Sequence, residues 1–283
     1  MNKKRITVPE IWARKKSGKK IVALTAYDFS FAQWLDQTPI DIILVGDSLG
    51  MVALGYETTL PVTLDEMIAH TRAVRRGITN GLLVGDMPFM SYQISPQEAL
   101  RNAGRLVQEG GAEAVKLEGG TRMAETVRTI VQAGIPVMGH IGLTPQSVNQ
   151  FGGYRVQGKT LLDAKKILQD ARELEKAGVF SLVLEGIPSD LGAEITREVK
   201  VPTIGIGAGP EVDGQILVLN DLLGLTQGFS PKFVKRFREL GTEVRQAVEE
   251  YATEVRTGEF PGKQHSYSAD KKPWTAGIEK NCG

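Results

Sequence analysis

The stretch Ile40-Asp41-Ile42-Ile43-Leu44-Val45-Gly46-Asp47-Ser48 joins a short apolar run to an acid and a hydroxyl across a single glycine. A run of Val, Ile and Leu without polar alternation is the pattern of a parallel strand buried on both faces. Comparable runs stand at 21–26, 82–84, 112–117, 135–138, 180–184, 202–206 and 215–219. Most of the segments between them have helical spacing. Over 64–78, Met67, Ile68, Thr71, Val74 and Arg75 fall on successive turns, with Thr63 and Glu66 placed as a capping box. Ser95-Pro96-Gln97-Glu98 opens another helix in the same way, with proline at the first helical position. Further helices are expected over 121–133, 161–177, 189–199 and 231–257. Strands alternating with helices predict an α/β protein, a (β/α)8 TIM barrel, against which an open doubly wound sheet is the alternative. The link 207–214 is too short for a full helix, so the seventh step is irregular.

At 283 residues the chain has room for two domains or for one barrel, which takes about 250 residues. No linker rich in Pro, Gly or Ser divides it. One TIM-barrel domain with an N-terminal helix is therefore expected over 1–267, followed by a tail, 268–283, of disordered composition. The 34 Lys+Arg and 33 Asp+Glu nearly cancel, but not evenly. Residues 1–20 carry eight basic and one acidic side chain and 261–283 carry four Lys and two acids, which leaves 22 basic and 30 acidic residues between. Nucleic acid is a poor partner for such a body, because backbone recognition needs clustered positive charge. The basic N-terminal stretch is expected to dock as a helix on that acidic body, with Pro9 early in it and Ile11 and Trp12 as apolar contacts. No unbroken hydrophobic run is longer than 42–45, far short of the roughly 20 residues of a membrane span, and residues 1–20 lack a signal-peptide core. Cys282 is the only cysteine, which excludes a disulfide framework and a cysteine-rich metal site and fits a cytoplasmic location.

The apolar runs end on chemistry. Tyr27-Asp28, Gly46-Asp47-Ser48, Gly85-Asp86, Lys116 with Glu118, His140, Glu185, the loop 205–209 and Asn220-Asp221 stand at their ends in turn. A lone Asp after a strand is usually a helix cap or a turn. In a barrel, however, all these ends converge on the C-terminal mouth, where such folds carry their active sites. Asp47, Asp86 and Glu118 end neighbouring strands and would repel one another unless a cation lay between them. Oxygen ligands without His or Cys favour Mg²⁺ over zinc, and Mg²⁺ usually takes only one or two protein carboxylates. One of the three could thus act through water. Lys116 either neutralises a carboxylate of the site or binds an anionic substrate. Glu185 follows an apolar run, and a desolvated carboxylate suits a general base, the alternative being a pairing at the barrel rim. His140 either hydrogen-bonds a substrate or is structural. The glycines of 205–209 lack dinucleotide spacing and are expected to let the backbone pass close to a ligand.

Six strings carry a resemblance: Leu24-Thr25-Ala26-Tyr27-Asp28, Val45-Gly46-Asp47-Ser48-Leu49-Gly50-Met51, Thr59-Leu60-Pro61-Val62-Thr63, Lys116-Leu117-Glu118-Gly119-Gly120, Gly139-His140-Ile141-Gly142-Leu143-Thr144-Pro145-Gln146-Ser147 and Gly205-Ile206-Gly207-Ala208-Gly209. In this order and spacing the chain resembles the ketopantoate hydroxymethyltransferases, of the phosphoenolpyruvate/pyruvate barrel superfamily, from about residue 5 to His265-Ser266-Tyr267. The resemblance implies a cytoplasmic homo-oligomer, commonly a decamer, that acts in pantothenate biosynthesis. It implies that Asp47 and Asp86 bind Mg²⁺, with Glu118 completing the metal site directly or through water. The 2-oxo acid would chelate that ion, with Ser48 and Lys116 on its carboxylate and His140 nearby. Glu185 matches the proton acceptor, and 5,10-methylenetetrahydrofolate is the implied co-substrate. Lyases of the same superfamily share such a site but use a cysteine in a mobile loop, and Cys282 is the only cysteine here. A metal-dependent binding module would need the cluster but no base.

Overall fold

The computed structural model describes residues 5–228 and 230–268. In chain order the elements are α1 (Val8–Lys16), β1 (Ile21–Thr25), α2 (Phe29–Asp36), β2 (Ile42–Val45), α3 (Leu49–Val52), α4 (Leu64–Gly77), β3 (Leu82–Asp86), α5 (Pro96–Gln108), β4 (Ala114–Glu118), α6 (Ala124–Gln132), β5 (Val137–Gly142), α7 (Val148–Phe151), α8 (Leu161–Ala177), β6 (Ser181–Glu185), α9 (Ser189–Glu198), β7 (Thr203–Ile206), β8 (Gly214–Leu217), α10 (Leu219–Leu222) and α11 (Leu240–Thr257). The eight strands are parallel and close in sequence order, with β1 paired to β8. Closure decides against the open sheet. No helix lies between β7 and β8, as the short link requires.

Side chains alternate across each strand, so the wall separates two cores. Ile21, Ala23, Ile42, Leu44, Leu82, Val84, Ala114, Met138, Val183, Ile204 and Ile216 belong to one buried cluster inside the barrel. Their neighbours, such as Ile43, Val45, Leu83, Val115 and Leu117, pack under the surrounding helices. Ile11 of α1 joins the inner cluster fully buried, so α1 closes the N-terminal end of the barrel. Trp12 departs from its expected role. It stays 43% exposed and donates its indole N–H to the Phe180 carbonyl at 2.8 Å. The charge argument holds: Arg14 pairs with Asp41, and Lys15 with Asp213 at 2.8 Å.

The capping signals are realised. Thr63 N–H donates to Glu66 at 2.7 Å while Glu66 N–H donates to the Thr63 hydroxyl at 3.2 Å, and Ser95 accepts from Glu98 N–H at 3.2 Å. Helix α8 has the expected bounds. The helix expected over 231–257 begins only at Leu240. Upstream, Phe237 N–H donates to Leu222 at 2.8 Å, and Leu240 N–H to Leu223 at 2.9 Å. Tertiary bonds to the end of α10 thus replace local helical ones. The expected tail, 268–283, lies outside the described residues except for Ser268.

Asp36, at the end of α2, pins the loop entering β3. Its carboxylate accepts from Thr79 Oγ1 at 2.6 Å and from Asn80 and Gly81 N–H at 2.8 and 3.2 Å. Burial opposes the charge, but these hydrogen bonds outweigh it and hold the carboxyl below its ordinary value. A folded value below the unfolded one stabilises the fold above about pH 4 and loses that contribution as pH falls through the folded value. Asp36→Asn is expected to cost about 1–2 kcal/mol at pH 7. Urea midpoints of variant and wild type should converge toward pH 3. A gap that stayed constant across that range would contradict the assignment.

Candidate active site

Strand parity builds the site. Ala114, Met138 and Val183 face the barrel interior, and so do Lys116, Glu118, His140 and Glu185, which lie an even number of residues further along the same strands. Register aligns Asp86 with Lys116, Glu118 with His140 and Gly142 with Glu185. The inner apolar layers are therefore capped by one polar layer. Asp86, Lys116, Glu118 and His140 are each at most 4% exposed, and Asp47 joins them from the end of β2 with the same burial. The candidate residues complete their strands rather than following them: β3 ends on Asp86, β4 on Glu118 and β6 on Glu185.

Lys116 Nζ lies 2.9 Å from Asp86 Oδ1, 4.0 Å from Glu118 Oε1 and 3.4 Å from His140 Nδ1. Burial alone would lower the ammonium, but Asp86, Glu118 and Asp47 outweigh it and hold it above the ordinary lysine range. The His140 ring stands between Glu118 Oε1 at 3.4 Å and Glu185 Oε2 at 3.1 Å. Burial and the Lys116 charge oppose its protonation, yet the two carboxylates prevail and raise it to about 9. Glu185 is thus not in apolar surroundings. Strand pairing brings His140 against it, which the flanking sequence of one strand does not reveal.

Four carboxylates against two cations leave this layer short of positive charge. Burial, followed by the charges of Asp86 and Glu118, pushes Asp47 well above its ordinary value, and burial also raises Asp86. Asp86 Oδ1 is buried against the Lys116 ammonium, and Glu118 Oε1 is buried with the His140 ring at 3.4 Å and the ammonium at 4.0 Å. An oxygen-only donor set that lacks positive charge fits a hard divalent cation. Among the described residues no three of His, Cys, Asp and Glu are drawn together as a ready-made cage. Ser48 is oriented by the Tyr27 hydroxyl at 2.9 Å.

Two rim candidates have structural explanations. Asp28 caps α2, accepting from Phe31 N–H at 2.9 Å. In the 205–209 loop the glycines make room for protein. A Cβ on Gly207 would lie 2.7 Å from the Phe233 ring, and one on Gly209 would lie 2.0 Å from Ser189 Oγ.

The residue missed from sequence is Gln146. Its amide donates to Asp47 Oδ2 at 2.9 Å and to the Met87 carbonyl at 3.0 Å, and its backbone N–H donates to Glu118 Oε2 at 3.0 Å. Its own carbonyl accepts from the buried Tyr92 hydroxyl at 2.6 Å. Through its side-chain amide and its backbone N–H, one residue therefore ties together the ends of β2, β3 and β4. The signal was its place in the Gly139–Ser147 string, but a neutral amide in a loop suggests no chemistry until its partners are known.

The ketopantoate hydroxymethyltransferase family profile matches residues 5–263. The chain belongs to that family. Its curated relatives include the 3-methyl-2-oxobutanoate hydroxymethyltransferase of Heliobacterium modesticaldum, 56% identical over 94% of this chain and 97% of the relative. That of Thermoanaerobacter sp. (strain X514) is 57% identical over 91% of this chain and 94% of the relative. Ketopantoate hydroxymethyltransferases are transferases, and membership makes this chain an enzyme of that class. Among solved structures, a phosphonopyruvate hydrolase in complex with oxalate and Mg⁺⁺ superposes with a TM-score of 0.59 over 92% of this chain and 93% of that chain, at 13% identity. A 2,3-dimethylmalate lyase of the PEP mutase/isocitrate lyase superfamily gives 0.59 over 95% and 92%, at 17% identity. At such identities the likeness establishes the shared fold alone. Among the described residues no helix is long and apolar enough to cross a membrane.

Proposed function

We propose that the enzyme transfers a hydroxymethyl group from 5,10-methylenetetrahydrofolate to 3-methyl-2-oxobutanoate, giving 2-dehydropantoate for pantothenate biosynthesis. The observation that carries this is the inward polar layer at the barrel mouth, in a chain of this family: carboxylates short of positive charge on β2–β4, with Glu185 beside His140. Asp47 and Asp86 would hold Mg²⁺, with Glu118 completing the site directly or through water. When bound, the ion would supply Lewis-acid stabilisation of the charge that develops on the keto oxygen. Ser48 and Lys116 bind the substrate carboxylate. The ammonium has three donors, and the Asp86 contact occupies one of them. Glu185 accepts the proton from C3, and His140 holds the Glu185 carboxylate in place or hydrogen-bonds the substrate. C3 then bonds to the one-carbon unit, water supplies the hydroxyl oxygen and tetrahydrofolate leaves.

The rest of the proposal concerns setting and assembly. The enzyme is a cytoplasmic homo-oligomer, a decamer, and the apolar stripe that α11 leaves exposed through Val244, Val248, Tyr251 and Val255 supports self-association. No nucleic acid or membrane takes part.

Enolisation needs no donor, so it can be followed alone. With 3-methyl-2-oxobutanoate and Mg²⁺ in D₂O, the C3 proton signal is expected to disappear, and EDTA is expected to preserve it. A C3 signal that persists in the presence of Mg²⁺ would contradict the proposed chemistry.

A further inference from the structure

The chain leaving β5 does not turn directly into α8. Gln146 first reaches Asp47, at the end of β2. After α7 and the turn at Gly152 and Gly153, the Tyr154 hydroxyl lies 3.8 Å from Met51 Sδ in α3, which also follows β2. The backbone then returns, and Gln157 N–H donates to the Gly186 carbonyl at 2.9 Å, one residue beyond Glu185. In the closed order β3 and β4 separate β2 from β5. A segment that follows β5 and touches both α3 and the end of β6 therefore arches over the mouth. Tyr154 is 47% exposed and Met51 40%, two large apolar side chains on the outer side of a buried charged layer. The Tyr154 phenol is raised by partial burial and by the charges of Asp47, Glu185 and Glu118, as expected of a group above all three. Exposed Arg155 follows it directly in the chain and makes no ion pair among the described residues.

Resting on the transferase proposal, the geometry points to Tyr154 and Met51 as the platform that receives the flat heteroaromatic one-carbon donor above the oxo-acid site. The arch spans from the carboxylate side of the mouth to Glu185, so a donor approaching C3 passes it. An aromatic ring and a thioether offer faces to a planar heterocycle, and Arg155 beside them complements a carboxylate of a glutamate-bearing donor.

The two half-processes separate the outcomes. Tyr154→Ala is expected to raise the KM for methylenetetrahydrofolate roughly tenfold, the order of one lost stacking contact. Donor-free exchange of the C3 proton should continue, and Tyr154→Phe should restore the donor KM. Met51→Ala, an independent change, should raise that KM in the same direction. A donor KM that both alanine variants leave unaltered would overturn the platform, as would a raised KM accompanied by an equal loss of C3 exchange, which would make the arch a support of the oxo-acid site. Failure of the wild-type protein to use the folate donor at all would instead refute the transferase proposal, and the platform with it.

Discussion

Glu185→Gln is expected to slow exchange of the C3 proton of 3-methyl-2-oxobutanoate with solvent by about 10²–10⁴-fold, the usual contribution of a positioned base. The amide keeps the shape of the side chain at the end of β6 but cannot accept the proton. Binding of the oxo acid and of Mg²⁺ should persist, because neither is assigned to Glu185. A structural Glu pairing with His140 predicts the reverse pattern: the change would disturb the buried ring, whose Nε2 lies 3.1 Å from the carboxylate, and weaken binding with little selective effect on exchange. Proton NMR in D₂O with a parallel binding titration distinguishes the two. Exchange at the wild-type rate would remove Glu185 from its role.

Lys116→Met carries the largest expected effect on stability. Lys116 is 4% exposed, and its ammonium lies against Asp86 in a layer already rich in carboxylate. Removing one partner of a buried ion pair typically costs about 3–5 kcal/mol, because the other charge is left buried without compensation. Protonation of a neighbouring carboxyl limits that cost. Asp47 and Asp86 are both raised in the folded state, so the variant should lose less stability as the pH is lowered toward the carboxyl range. Urea unfolding at pH 7 and pH 5 checks the sign. Equal stability of variant and wild type at pH 7 would mean that Lys116 does not balance this cluster.

Much of this site is legible in the sequence because the mouth of a barrel collects strand ends. The runs at 82–84 and 180–184 already point to Asp86 and Glu185, and Thr63 with Glu66 marks the start of α4. Other features depend on pairing between distant segments. The surroundings of Glu185 are not legible from its own strand, because His140 arrives from the neighbouring one. Asp28 has the local pattern of a rim acid but serves as a cap, and only its bond to Phe31 tells the two apart. Gln146 acts through three elements that no sequence period connects. The segment 231–239 has a helical composition, yet bonds to Leu222 and Leu223 take its backbone elsewhere.

The central claim is tested most directly by product formation. The protein is incubated with 3-methyl-2-oxobutanoate, 5,10-methylenetetrahydrofolate and Mg²⁺, with one sample treated with EDTA and another lacking the donor. Ketopantoate should form in the complete mixture and in neither control. Its absence from the complete mixture, with folded protein present, would contradict the assignment of this barrel mouth to hydroxymethyl transfer.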